Sequence, residues 1–217
     1  MKTIHIFYLL GALVLLLSSC SIDLIKASSD ITSEERVVTS FNAVKASNDI
    51  EVVIKKGNTH TVEVTTSHNL QEHVKTSVKN GVLYLELDKI VRKLKELRVD
   101  ITMPEISKIT LSSDAFGNVT GFENMDSFNV TVSSDAFLLL SGSSNNMNIK
   151  ASSDARIEAF DFKTQNCNVA CSSDASVSIT CLNALNGSVS SDGSLYYKGT
   201  PSINVQTNSD GVLINAN

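Results

Sequence analysis

TVSSDAFLLLSG, running from Thr131 to Gly142, alternates like a strand at both ends and carries Ser-Ser-Asp-Ala in the middle. The same tetrad stands at Ser112–Ala115, Ser152–Ala155 and Ser172–Ala175. It returns as Ser190-Ser191-Asp192-Gly193 and Asn208-Ser209-Asp210-Gly211. The aspartates fall at 114, 135, 154, 174, 192 and 210, at intervals of 21, 19, 20, 18 and 18 residues. A period of about twenty residues marks a solenoid, in which each unit covers the apolar face of the next.

Register around the Asp decides the element type. Seven, five and three residues before it stand Phe128, Val130 and Val132, then Met147, Ile149 and Ala151, then Cys167, Val169 and Cys171. One, three and five residues after it stand Ala136, Leu138 and Leu140, then Ala155, Ile157 and Ala159, then Ala175, Val177 and Ile179. Apolar residues at every odd offset fit the alternation of a pleated strand and not the three- and four-residue spacing of a helix. The expected fold is all-β, a parallel β-helix of about six coils over 105–217, each of 18–21 residues. Continued through the tetrad, the alternation turns the second Ser (113, 134, 153, 173, 191, 209) inward and the first Ser and the Asp outward.

Residues 34–104 are β as well, without the strict repeat. Ser47-Asn48-Asp49 is a relic of the corner, and Asn80-Gly81 joins Val74–Val78 to Val82–Leu87 as a hairpin. Asn69–His73 reads as a single helical turn, Leu97–Met103 as a strand stopped by Pro104, and Lys89–Glu96 as a basic solvated loop or short helix.

The first residues read as a targeting segment. Lys2 precedes an apolar run from Ile4 to Leu17, shorter than the roughly 20 residues that span a bilayer. The run ends in Leu17-Ser18-Ser19-Cys20, which resembles the bacterial lipobox. That resemblance implies cleavage before Cys20 and acylation of its sulfur and amino group, enough acyl chains for stable anchoring. Ser21 follows in place of an Asp, which points to the outer membrane; the face is open. The expected order is a lipoprotein signal peptide over 1–19, an acylated tether over 20–33, an N-terminal β region over 34–104 and the repeats over 105–217, with 34–217 one continuous domain. Cys167 and Cys171, four apart on one strand, stand about 13 Å apart, too far to bridge, so with Cys181 they are expected as buried thiols.

Phe41-Asn-Ala-Val, Ser47-Asn-Asp-Ile-Glu-Val, Val78-Lys-Asn-Gly-Val-Leu, Val99-Asp-Ile-Thr-Met-Pro-Glu-Ile, the recurring Ser-Ser-Asp and Tyr196-Tyr197-Lys-Gly-Thr-Pro stand in this order over 36–217. Together they resemble the putative auto-transporter adhesin "head GIN" domain, the domain of unknown function numbered 2807, common in lipoproteins of Bacteroidetes. The resemblance implies a β-helix and a cell-envelope location, and it brings no catalytic residues. Members write the corner Gly-Ser-Gly-Asp; here Ser replaces the second Gly, which makes the corner less permissive at positive φ.

Two surfaces are candidate sites. Asp114, Asp135, Asp154, Asp174, Asp192 and Asp210 form an outward column, whose carboxylates, about 4.8 Å apart, repel by roughly 0.9 kcal/mol per neighbour in water. Either each Asp caps its own turn, or Ca²⁺ takes up the oxygens; no other cofactor is expected. Phe116 and Phe137, two residues after their Asp, face outward with Arg156 in the next coil, as a ligand patch or covered by N-terminal strands. With a net charge of −5 and no clustered basic stripe, nucleic acid is not a partner. His60, His68 and His73 lack metal-site spacing, and no nucleophile elbow or phosphate loop is present. The reading is a non-catalytic, adhesin-like module, lipid-anchored in the envelope, for glycan or for an envelope or host protein. A structural or envelope-stress lipoprotein without a ligand is the alternative, and a carbohydrate-active enzyme on a β-helix the third.

Overall fold

The computed structural model describes residues 24–217, so Cys20 and the signal segment lie outside the described residues. The N-terminal part holds β1 (Leu24–Lys26), β2 (Ile31–Glu35), β3 (Ala43–Ala46), β4 (Glu51–Lys56) and β5 (Thr61–Ser67). A 3₁₀ turn, His68–His73, leads to β6 (Val74–Lys79), β7 (Val82–Leu87), β8 (Ile90–Arg92) and β9 (Leu97–Met103). The repeats hold β10 (Lys108–Leu111), β11 (Phe116–Ser133), β12 (Phe137–Ser152), β13 (Arg156–Ser172) and β14 (Ser176–Ser190). The chain finishes in β15 (Ser194–Lys198), β16 (Ser202–Thr207) and β17 (Val212–Asn215).

The repeat is a parallel β-solenoid. Each of β11 to β14 runs from one tetrad to the next and bends half-way, giving an arm on either side of the corner. On the arm before the Asp, Val130 pairs in parallel with Ile149, Ile149 with Val169 and Val169 with Gly187. On the arm after it, Phe116 pairs with Phe137, Phe137 with Arg156 and Arg156 with Ser176. Six tetrads thus mark off five turns.

The N-terminal region continues the same stack. β3 pairs in parallel with β10 and β7, and β4 with β11 and β9, so residues 43–54 form a leading coil with its own corner at Asn48-Asp49. Antiparallel β2–β5–β9 and β6–β7 then close that end of the stack. The Asn80-Gly81 hairpin is present, both residues at positive φ as a type I′ turn demands.

Inside, the odd-offset residues are buried as the alternation requires. Val130 and Ile149 are 1% exposed, and Leu138, Ile157 and Val177 are fully buried. The core is continuous from Phe41 to Tyr197. Ile203 departs from the pattern at 46% exposed, because no further coil in the described chain covers it.

Four expectations need correction. The second Ser of the tetrad does not face inward: Ser134, Ser153, Ser173, Ser191 and Ser209 are exposed and Ser113 half-exposed. Alternation stops at the corner because the second Ser and the Asp both lie at positive φ, 54° and 61° at Ser113-Asp114 and 55° and 61° at Ser153-Asp154. Two consecutive left-handed residues form a primed turn that projects both side chains outward. The substitution of Ser for Gly therefore leaves the corner's positive φ intact. Finally, the stretch read as a tether contains β1 and the start of β2, and the basic segment after Asp88 contains β8, which pairs in parallel with β1.

Candidate functional site

Each corner is made by the backbone. The Ala or Gly after the Asp donates its N–H to the first residue's carbonyl, at 3.3 Å for Ala115 to Ser112 and 3.0 Å for Gly193 to Ser190. The Asp N–H donates to the second Ser carbonyl of the next coil: Asp114 to Ser134, Asp135 to Ser153 and Asp154 to Ser173 at 3.0 Å, Asp174 to Ser191 and Asp192 to Ser209 at 3.1 Å. A non-Gly residue in the left-handed region costs roughly 1–2 kcal/mol. With two such residues at each corner the cost is about 2–4 kcal/mol, met in part by one closing bond and one rung per coil, each worth about 1 kcal/mol net. Asp49 joins the file by the same bond to Ser113, making it seven aspartates long in the described chain.

These backbone bonds limit what the Asp side chains can do locally. From Asp114 to Asp192 the Asp N–H and the following N–H are both committed, and neither is left there to cap the carboxylate. All six predicted aspartates are exposed, so water screens their mutual repulsion. Burial first, and the Asp114 charge second, raise the Asp49 carboxyl above its ordinary value. Among the described residues no three His, Cys, Asp or Glu side chains converge on a point where an ion could sit, so the file offers carboxylates singly.

The aromatic candidates do come together. Phe116 and Phe137 are half-buried on the outer face of the arm after the corner. Their centroids lie 5.5 Å apart at 66°, an edge-on pair. The Arg156 guanidinium sits 5.5 Å from the Phe137 centroid and donates to Glu158 Oε1 from Nη2 at 2.7 Å and from Nε at 3.0 Å. On the other side of the pair Glu51 occupies the same column, paired with Phe116 in register, and Arg98 Nη1 approaches Glu51 Oε1 at 3.5 Å. Arg98 is held by a bidentate bond to Asp100, 2.7 Å on each arm, which raises its already high pKa further. N-terminal strands thus flank the aromatic pair as its neighbour in the stack and do not cover it.

Sequence reasoning missed the continuation of this face. Asn118, Leu139, Ser141, Glu158 and Phe160 line an open hollow of 380 Å³ directly beside the pair. Phe160 stands six residues after Asp154, at an outward offset, but beside a slip in register between β12 and β13 that hides which residues of the neighbouring coil adjoin it. Lys198 lies over its ring at 4.4 Å. The surface from Phe116 to Lys198 therefore alternates ring faces with guanidinium, carboxylate and ammonium groups.

His60 and His73 make contacts within the fold, and the three described cysteines are buried in it. His60 Nε2 bonds the Phe41 carbonyl at 2.7 Å, and His73 Nδ1 meets Asp88 at 2.9 Å. Cys167, Cys171 and Cys181 are free and at most 2% exposed; burial raises all three thiols, Cys171 to about 11.

The family model for the putative auto-transporter adhesin, head GIN domain, matches residues 40–201. No protein of curated function matches the chain. Among solved structures, a putative adhesin from Bacteroides fragilis superposes with a TM-score of 0.69 at 19% identity, over 88% of this chain and 98% of that one. A putative adhesin from Parabacteroides merdae gives 0.56 at 16% identity, over 90% and 100%. A putative lipid binding protein from Parabacteroides distasonis gives 0.56 at 14%, over 89% and 100%. At these identities the likeness establishes a shared fold.

Proposed function

The chain belongs to the putative auto-transporter adhesin, head GIN domain, family, and from that premise we propose that it is a lipid-anchored, non-catalytic binding module of the cell envelope. Its ligand surface is the outer face built on Phe116, Phe137 and Arg156, and its ligand class is glycan. The observation that carries this reading is the edge-on aromatic pair held half-exposed between two guanidinium–carboxylate pairs, next to an open hollow. Ring faces stack on the C–H faces of sugars, while Arg156 and Glu158 present a fixed donor and acceptor for hydroxyls. A core role for the rings would have buried them.

The anchor is Cys20, in the lipobox Leu17-Ser18-Ser19-Cys20, with the outer membrane as destination. Two or three acyl chains hold a protein where one would let it exchange.

Binding to a panel of neutral and acidic polysaccharides tests the ligand surface. Phe116→Ala/Phe137→Ala is expected to weaken binding at least tenfold, with folding retained, since an exposed aromatic pair contributes only about 0.5–1.5 kcal/mol beyond its area. Binding that survives the double substitution rejects this face, and silence of the intact protein across the panel favours the ligand-free structural reading. Cys20→Ser should move the protein from membrane to soluble fractions, and continued sedimentation with membranes rejects acylation. Protease shaving of intact cells reports whether the face is turned outward.

A further inference from the structure

Charge is distributed unevenly along the chain. Residues 105–217 carry five Lys/Arg against eleven Asp/Glu, a net −6, whereas residues 24–104 carry twelve against eleven, a net +1. Within the N-terminal region four of the twelve cations lie on or just after the two-stranded ribbon of β1 and β8, whose Ile90 and Val91 line a hollow with Asp49, Asp88 and Asp114. Leu24 pairs with Ile90, Ile25 with Val91, and Lys26 with Arg92, in parallel. Side chains two apart on a strand share a face, so Leu24, Ile90, Lys26 and Arg92 all look outward. Leu24 is 42% and Ile90 57% exposed, while Val91, on the opposite face, packs against the core. Lys93 and Lys95 extend the cationic end into the following loop, with Glu96 beside them, all three exposed. Among the described residues Lys26, Arg92, Lys93 and Lys95 have no side-chain partner.

This ribbon lies where the described chain begins. Leu24 follows Cys20 by four residues, a span of at most about 14 Å when extended. We propose that the outer face of the β1–β8 ribbon is a docking surface for a phospholipid bilayer bearing anionic headgroups. Leu24 and Ile90 enter the interface and Lys26, Arg92, Lys93 and Lys95 meet the phosphates. Each cation near such a surface adds roughly fivefold to local binding at low ionic strength, and the effect decays within a Debye length. The acidic solenoid is repelled by the same headgroups. Attraction at one end and repulsion along the rest hold the coils away from the bilayer, with the Phe116–Phe137 face free. The acyl chains fix the protein to the membrane; the ribbon fixes how it stands there. For the anchor alone, this inference rests on the reading of Cys20 given above.

The test uses the full acylated protein reconstituted into vesicles of phosphatidylcholine, with or without phosphatidylglycerol, and treated with trypsin. Cleavage after Lys93 and Lys95 is followed by mass spectrometry, with cleavage after Lys198, at the far end of the solenoid, as reference. On anionic vesicles at low salt, cleavage after Lys93 and Lys95 relative to Lys198 should slow about tenfold against neutral vesicles. The difference should collapse in 0.5 M salt, where the screening length is only a few ångströms. Lys26→Gln/Arg92→Gln leaves both reporter sites intact and should remove most of the difference. Equal relative rates on the two vesicle types, or a difference untouched by salt and by Lys26→Gln/Arg92→Gln, would overturn the docking surface. Protein that fails to stay with either vesicle refutes the acyl anchor and, with it, the tethered geometry on which the ribbon acts.

Discussion

At the five corners from Asp114 to Asp192, every coil uses the same two positive-φ residues, the same closing hydrogen bond and the same rung to its neighbour. At the bend on the other side of the coil no such constancy holds. Pairing slips between Val119 and Phe122 and between Phe122 and Met125, then between Leu139 and Ser141, and again between Ala159 and Lys163 and between Thr164 and Asn166. Side chains do the work there. The buried hydroxyls of Ser144 and Thr164 lie 3.2 Å apart and donate to the Asn146 and Asn166 carbonyls at 3.1 and 3.2 Å. Cys181 pairs with Thr164 in the same inner column and directs its thiol to the Ala184 carbonyl at 3.2 Å. Outside, Asn183 donates to Asn166 at 2.8 Å, Asn166 to Asn146 at 3.3 Å, and Asn146 to the Asp126 carbonyl at 3.1 Å.

The difference explains how coils of 18 to 21 residues stack at all. Arms flanking the corner pair residue for residue, so every change in coil length must be absorbed at the far bend. A backbone solution demands fixed length, because one extra residue inverts the in–out pattern of the arm that follows. A side-chain solution tolerates slippage, because an amide or hydroxyl can reach a neighbour from more than one register.

A one-residue insertion separates the two most sharply. Gly inserted between Ser153 and Asp154 should destabilise by on the order of 4 kcal/mol or abolish folding, whereas Gly inserted after Asn145 should cost about 1 kcal/mol or less. Chemical denaturation of both variants checks this, and equal losses would erase the distinction between corner and bend. Next in size is Gly142→Val at the far bend. Gly142 has φ 142°, and a Cβ there would collide with the Phe122 carbonyl and crowd the Phe162 ring, so a loss of about 3 kcal/mol or more is expected.

The corner itself is sharpened by opposite substitutions at one position. Ser153→Gly should stabilise by about 0.5–1 kcal/mol, because glycine takes φ 55° without strain, and Ser153→Val should destabilise by about 1–2 kcal/mol. Thermal denaturation showing both neutral would mean that the rungs do not enforce the left-handed turn. The smallest effect concerns the head of the Asp file. Asp49 has a raised pKa, so in the window from its ordinary value of 3.8 upward the folded state holds more proton than the unfolded one, and stability falls as pH rises through it. Asp49→Asn should therefore gain a few tenths of a kcal/mol at neutral pH and nothing in strong acid, since the carboxyl is only partly desolvated and is screened by solvent. Pairs of melting curves at pH 3 and pH 7 read this out.

The repeat was legible because its signal is local and repeated. An Asp every twenty or so residues, with apolar residues at each odd offset, admits one element type and one way of stacking it. Phe116 and Phe137 were placed correctly on the outer face by the same count. The inward Ser was the count's failure, because a φ reversal inside the tetrad leaves no mark on hydrophobic periodicity. Asn146 and Asn166, each eight residues before its Asp, and Phe160, six after Asp154, stand at outward offsets; what escaped was their contacts, which cross the register slips of the far bend. The β1–β8 ribbon escaped because its paired residues lie 66 apart in sequence and each strand is only three residues long.

By itself the sequence determined the solenoid, its corner positions and the sets of residues facing in and out along each arm, since burial of alternate side chains is dictated by the pleat. Only the tertiary structure decided the left-handed corner, the amide ladder of the far bend and the exposed basic ribbon. Each of these depends on a hydrogen bond or a pairing between coils, and such partners become neighbours only once the chain has stacked.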